Sequence, residues 1–265
     1  MARRAKSQRG AEQRGGERGV ESRLLHLLQA NRRWRDPEVE PRNLSPWLLP
    51  LQRWQAARLA ESFADISAAP DTAAATDFFL SDLYGDHDVS ARDRGVEKVM
   101  PMMRRLLPDE LLHTVADAIE LAVLSHAFDL RVAQALETLL PTDAELDVAT
   151  YGKAYRMAGL PRLRRRQIAL IATIGMALDA AVRKPWLARV LRMSRLPARA
   201  AGLLDLQSFL ERGFAAFAGM QDAQGFMQEI ARREGEVSRR LFAADPQPFR
   251  RVRKSRAAQA NSRSR

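Results

Sequence analysis

The sequence predicts an all-α protein, a multi-helix bundle or globin-like stack of eight or nine helices flanked by disordered basic tails. Three observations predict it. Ala, Leu and Arg dominate the 265 residues and β-branched strings are few, which favours helix over strand. Apolar residues recur at three- and four-residue spacing in one segment after another. Capping residues, glycines and prolines punctuate those segments at short intervals, and no stretch reads as a strand.

Taken in order, Ser22 is positioned to cap a short helix carrying Leu24, Leu25, Leu27 and Leu28 to about Trp34. Asp36 to Trp47 reads as a linker, because Pro37, Pro41 and Pro46 forbid helix continuation. A helix then starts near Pro50, with Leu51, Trp54, Leu59, Phe63 and Ile66 on one stripe and Pro70 closing it. Asp71 is the expected N-cap of the next helix, which carries Phe78, Phe79, Leu80 and Leu83 to Tyr84, with Gly85 at the left-handed position behind it. Beyond an Asp86–His87–Asp88 turn, Ser90 to Asp93 resembles a capping box, and its helix buries Val96, Val99, Met100 and Met103 around Pro101. Pro108, Asp109 and Glu110 open a long helix to Leu139, striped by Leu112, Val115, Ile119, Val123, His126 and Leu130.

Thr142 to Glu145 forms a capping box for a helix that ends at Gly159, with Pro161 behind it. Leu163 to Val182 is apolar almost all round at its centre and reads as the central buried helix. Pro185 opens a short helix with Trp186, Val190 and Leu191 that stops before Pro197. Leu203, Leu206, Leu210, Phe214 and Phe217 mark another, and Phe226, Ile230, Val237 and Leu241 the last, with Pro246 and Pro248 ending the expected order. The chain thus divides into a basic disordered tail (1–21), a loosely attached short helix plus Pro-rich linker (22–45), a helical domain (46–242) and a second basic disordered tail (243–265).

The formal net charge of +11 is localised. Residues 1–23 carry seven Arg or Lys against three Glu, and residues 250–265 carry seven and no acid, so the body between is close to neutral. Such tails bury too little apolar surface to fold; they read first as solubilising disorder or nonspecific adhesion and, as the alternative, as phosphate contacts with nucleic acid, with Phe249 the one aromatic near them for base stacking. The chain has no cysteine, which excludes disulfides, thiolate metal ligands and thiol nucleophiles and fits a cytoplasmic location. The first twenty residues lack the apolar core of a signal peptide. The longest apolar run, Ile168 to Leu178, is too short for a bilayer, so no transmembrane segment is expected.

The segment Phe78-Phe79-Leu80-Ser81-Asp82-Leu83-Tyr84-Gly85 resembles the signature of a bacterial family named for its FFLEELY motif. Arg92-Asp93, Leu106-Leu107-Pro108 and Phe209 to Phe214 are similar as well, so the resemblance spans about residues 50–235. Ser81 and Asp82 stand where the name has two acids. The resemblance implies a family but no chemistry, cofactor or active site.

The residues themselves offer four constellations. His87-Asp88 is an HD dipeptide, the pair that all-α metal phosphohydrolases use to hold a divalent ion, although it also suits a simple turn. His113, Asp117 and Glu120 share a helix face and form a candidate metal set, against the alternative of a solvated face with a local His–Asp pair. His126 on the apolar stripe is a candidate haem or metal ligand, against a core histidine satisfied by a neighbour. Arg162, Arg164, Arg165 and Arg166 crowd a helix start, where the macrodipole disfavours cations, and this points to an anion or an acidic neighbour such as Asp143, Glu145 or Asp147. Phosphate-loop, dinucleotide, hydrolase-elbow and zincin motifs are absent. The expected function is a noncatalytic binding or interaction module with a protein partner or a second copy of itself, the alternatives being a haem or metal protein and an HD-type phosphohydrolase.

Overall fold

A computed structural model describes residues 2–83, 95–96, 98–103 and 107–250, with side chains from residue 19 onward except at 82 and 83. Among the described residues there are eleven α-helices and no strand. They are α1 (Ala2–Arg35), α2 (Leu48–Ser62), α3 (Ala64–Ser67), α4 (Ala73–Phe78), α5 (Asp109–Leu139), α6 (Val148–Ala158), α7 (Pro161–Val182), α8 (Pro185–Met193), α9 (Arg195–Ala200), α10 (Leu204–Ala218) and α11 (Ala223–Phe242). The count exceeds the expected eight or nine because a turn at Phe63 divides one expected helix in two, and because past a turn at Ser194 the short α9 runs through Pro197, where the expected helix was to stop.

Helix α5 is the spine. Pro108 leaves the chain extended before it, Asp109 and Glu110 complement its positive end, and α1, α2, α6 and α7 pack along it. By length and composition α5 is apolar enough to cross a bilayer, whereas the contiguous apolar run Ile168–Leu178 is not. Four helices pack along α5 and bury 44% of its apolar window.

Three apolar clusters fill the interior. The first joins Leu59, Phe63, Phe78 and Phe79 to Ile171, Phe217, Phe226, Met227 and Ile230. The second gathers Trp47, Leu51, Val132, Leu136, Tyr151, Tyr155, Val237 and Leu241. The third sets Val20, Leu24 and Leu28 of α1 on Met100, Leu112 and Ala116. In the first, Gly175 lets α7 and α11 approach, since a Cβ there would stand 2.1 Å from Met227 Cγ.

Several local expectations are corrected. Helix α1 runs through Ser22 rather than starting at it, begins within the stretch expected to be a tail, and is docked on α5 rather than loosely attached. The linker is folded as well: Pro41–Leu44 makes a 3₁₀ turn, and Asn43 Nδ2 donates to the Trp34 and Glu40 carbonyls at 2.9 and 2.8 Å. Asp71 does not cap α4 but accepts from the Gln221 backbone N–H at 3.1 Å. The cap of α6 is Asp147, which accepts from the Thr150 N–H at 2.7 Å, and not the Thr142 box. Gly159 closes that helix at φ +69°, as its position predicts, and Leu160 continues at φ +58°. Past Leu241 the chain stays on the body: Pro248 is buried, and Phe249 packs on the second cluster rather than lying beyond the ordered structure. Tyr84, Gly85 and the Ser90–Asp93 box lie outside the described residues.

Candidate functional site

The polar interior lies where α2, α5, α6, α7 and α11 converge. Helix α2 carries Arg58 within its inward face, beside Leu51 and Leu59, and α11 carries Glu234 between Ile230 and Val237. The two meet as a bidentate pair, Arg58 Nη1 to Glu234 Oε1 at 2.6 Å and Nη2 to Oε2 at 3.2 Å, with side chains only 8% and 7% exposed. Burial works against the guanidinium charge, but Glu234 more than offsets it and holds Arg58 cationic. The Arg58 Nε–H is buried with no partner among the described residues.

A second network surrounds Arg164 at the start of α7. Its Nε donates to the Tyr155 hydroxyl at 2.9 Å, its Nη1 reaches Gln167, and its guanidinium lies 5.5 and 5.4 Å from the Phe128 and Tyr155 ring centres. Tyr155 in turn donates to Ser238 Oγ at 2.8 Å, and Gln167 to Ser125 Oγ at 2.6 Å. Asp129 closes the network, accepting from Gln52 Nε2 at 3.4 Å. Enclosure raises its carboxyl to about 6 against the pull of Gln52 and Arg164. Tyr151 is likewise pushed up by burial, so its hydroxyl stays protonated.

Two spaces adjoin these groups. A cleft of about 10 Å³ lies between Gln55, Phe128, Asp129, Tyr155 and Arg164, room for roughly one water. A groove of about 370 Å³ is bounded by Trp54, Ala57, Arg58, Glu61, Val148 and Phe249. Its aromatic wall is built by contact: Trp54 lies 4.5 Å from Tyr151 and 5.8 Å from Phe249, ring centre to ring centre, and the Arg58 guanidinium lies 5.1 Å from the Phe249 ring. The two spaces share no lining residue, so the carboxyl that titrates near neutrality and the room for a ligand are apart.

The residues singled out in the sequence are distributed differently. His126 is buried as expected, but its Nε2 lies 2.8 Å from Asn43 Oδ1. Asn43 spends its amide hydrogens on backbone carbonyls, so His126 is the donor and pins the proline-rich turn to α5. His113 is exposed, whereas Asp117 and Glu120 both accept from Arg23 Nη2 at 2.6 Å, and Glu120 also pairs with Arg166 at 2.8 Å. Arg166 and Arg23 hold the Glu120 carboxyl below its usual range. Among the described residues no group of three His, Asp or Glu is arranged to hold a metal.

The four-arginine cluster divides: Arg164 turns inward, Arg166 crosses to Glu120, and Arg162 and Arg165 stay exposed. The acidic neighbour is therefore Glu120 of α5. Asp147, one of the three acids expected to compensate, caps α6 instead. His87-Asp88 lies outside the described residues. Sequence reasoning missed Arg58, Glu234, Asp129, Tyr151 and the reach of Phe249. For Arg58 and Glu234 a signal was present, a charge standing at a core position of an otherwise apolar stripe.

Comparison with known proteins gives one family. The model of the domain of unknown function DUF8198 matches residues 34–248. No curated protein and no solved structure matches the chain.

Proposed function

Since the chain belongs to the DUF8198 family over residues 34–248, we propose that this family domain is a noncatalytic binding module whose ligand enters the groove between α2, α6 and the segment ending at Phe249. One observation carries the reading: the space and the titrating chemistry are separated. Asp129 has the proton affinity of a general acid or base, but its cleft admits no substrate. The groove has ligand-sized room and aromatic faces, and the Arg58 side chain along it is neutralised by Glu234. It suits a flat or branched apolar group that packs on the Trp54 and Phe249 rings.

The likeness of Phe78–Gly85 to the FFLEELY family accords with this reading. Its first two residues, Phe78 and Phe79, are core residues, 8% and 4% exposed, so this part of the motif serves packing. The cysteine-free composition accords with a cytoplasmic setting.

Anilinonaphthalene sulfonate, an aromatic anion, serves as the test probe. The natural chain should bind it saturably with quenching of tryptophan emission. Ala57→Trp, which fills the groove from an exposed position, should abolish that binding without loss of helicity. Equal saturable binding by both proteins would refute the groove as the site.

A further inference from the structure

Among the described helices of eight residues or more whose burial is given, α8 alone buries none of its side chains, and the short α9 follows it directly. Trp186, Val190 and Met193 fall at i, i+4 and i+7 and so share one face, exposed by 37%, 37% and 72%. Leu196 follows at 79%. The opposite side is anchored: Ser194 Oγ and Gln207 Nε2 both donate to the Leu191 carbonyl, at 2.8 and 2.7 Å, and Ala198 is buried. The apolar row is therefore held outward by a fixed inner face.

The charge around it is of one sign. From Arg183 to Arg199 there are six basic residues and no acid. Arg183, Lys184 and Arg195 pair with Asp179, Glu110 and Glu211 on neighbouring helices. Arg189, Arg192 and Arg199 are exposed, and no described residue pairs with them.

A helix that presents an apolar row with a tryptophan at its start, bordered by unpaired arginines, meets two requirements at one plane. The apolar side chains enter the acyl boundary, and the guanidinium groups reach the phosphates above it. A nucleic acid would use the arginines but leave the aliphatic row without a partner. A protein groove would take the row but would also have to be acidic along the edge that Arg189 and Arg192 line.

We propose that Pro185–Ala200 is a docking element for an anionic lipid surface. The surface is separate from the groove by Arg58 and does not depend on it.

The test uses the full chain and vesicles of phosphatidylcholine with or without phosphatidylserine. The basic termini also attract anionic vesicles through charge alone, so the decisive variants keep the charge of the termini and alter only this segment. The natural chain should sediment with phosphatidylserine vesicles and not with phosphatidylcholine alone, and a bound fraction should persist at high salt. Met193→Asp with Leu196→Asp should weaken binding by about tenfold or more and remove the salt-resistant fraction. Arg189→Glu with Arg192→Glu should weaken it comparably. Met157→Asp, on an exposed methionine of α6, should bind as the natural chain does. Circular dichroism checks that each variant is folded. Binding that is equal across the variants, or a natural chain that ignores anionic vesicles, overturns the proposal. So does a photo-crosslinker at position 193 that joins a discrete protein in the presence of vesicles and no lipid.

Discussion

Asp129 ties stability to pH in a fixed direction. Its folded carboxyl titrates at about 6 because enclosure disfavours the charge, against an ordinary 3.8. Between these values the folded chain holds a proton that the unfolded chain has released, so this group's contribution weakens as pH rises from 4 to 6 and stays unfavourable above. Asp129→Asn removes the charge and keeps a partner for Gln52. It should stabilise the protein at pH 7 by on the order of 2 kcal/mol, and the gain should vanish by pH 4. Urea unfolding at the two pH values reads this directly, and an unchanged midpoint at pH 7 would reject it. The Arg58–Glu234 pair predicts the opposite asymmetry. Arg58→Met alone leaves Glu234 buried and uncompensated, and should cost about 3–5 kcal/mol. Adding Glu234→Leu should recover most of that loss, because two desolvated charges are replaced by apolar volume. A double variant as unstable as the single one would show that the pair holds the fold by more than mutual neutralisation.

At the level of elements, the approach of α7 to α11 rests on one missing atom. Gly175→Ala brings the usual helix gain of about 1 kcal/mol over glycine. It also places Cβ 2.1 Å from Met227 Cγ and 2.5 Å from its Cβ, and the second is too near the backbone to swing aside. The overlap should win, for a net loss of about 1–3 kcal/mol in thermal or urea unfolding, with part restored by Met227→Ala. A stabilised Gly175→Ala would mean that the helices separate at little cost. These contacts also show what a sequence can disclose. The span of α5 is legible because Pro108 and the apolar spacing are local, and Gly159 because a positive φ selects it. The cap of α6 is less so, since Thr142, Asp143, Glu145 and Asp147 all satisfy parts of the same local rule and only packing chooses Asp147. Arg58 and Glu234 are visible singly as charges in apolar stripes, but they lie 176 residues apart and nothing local pairs them. The candidate groove was the least legible part, because its outer wall is Phe249, behind two prolines that locally read as the end of order.

For the whole molecule, the family match and the packing have different limits. The matched region begins at residue 34, so Val20, Leu24 and Leu28 of α1 fall outside it. Yet these three side chains are 1%, 0% and 7% exposed and close a cluster on Leu112 and Ala116 of α5. Beside them Arg23 bonds both Asp117 and Glu120, so the acids that look like a metal set in the sequence serve to seat the helix. Helix α1 is thus a working wall of the bundle, and α5, the longest described helix after α1, depends on it to cover one face. Removing residues 1–35 should forfeit on the order of 5 kcal/mol, from three buried aliphatic side chains at roughly 1.5–3 kcal/mol each, less what α5 recovers by rearranging. The truncated chain should also expose the Leu112–Ala116 face and associate, since an uncovered apolar strip on a helix of this length is a ready interface. Urea unfolding together with light scattering measures both effects. A truncated chain that stays monomeric with an unchanged midpoint would establish that the bundle closes without α1.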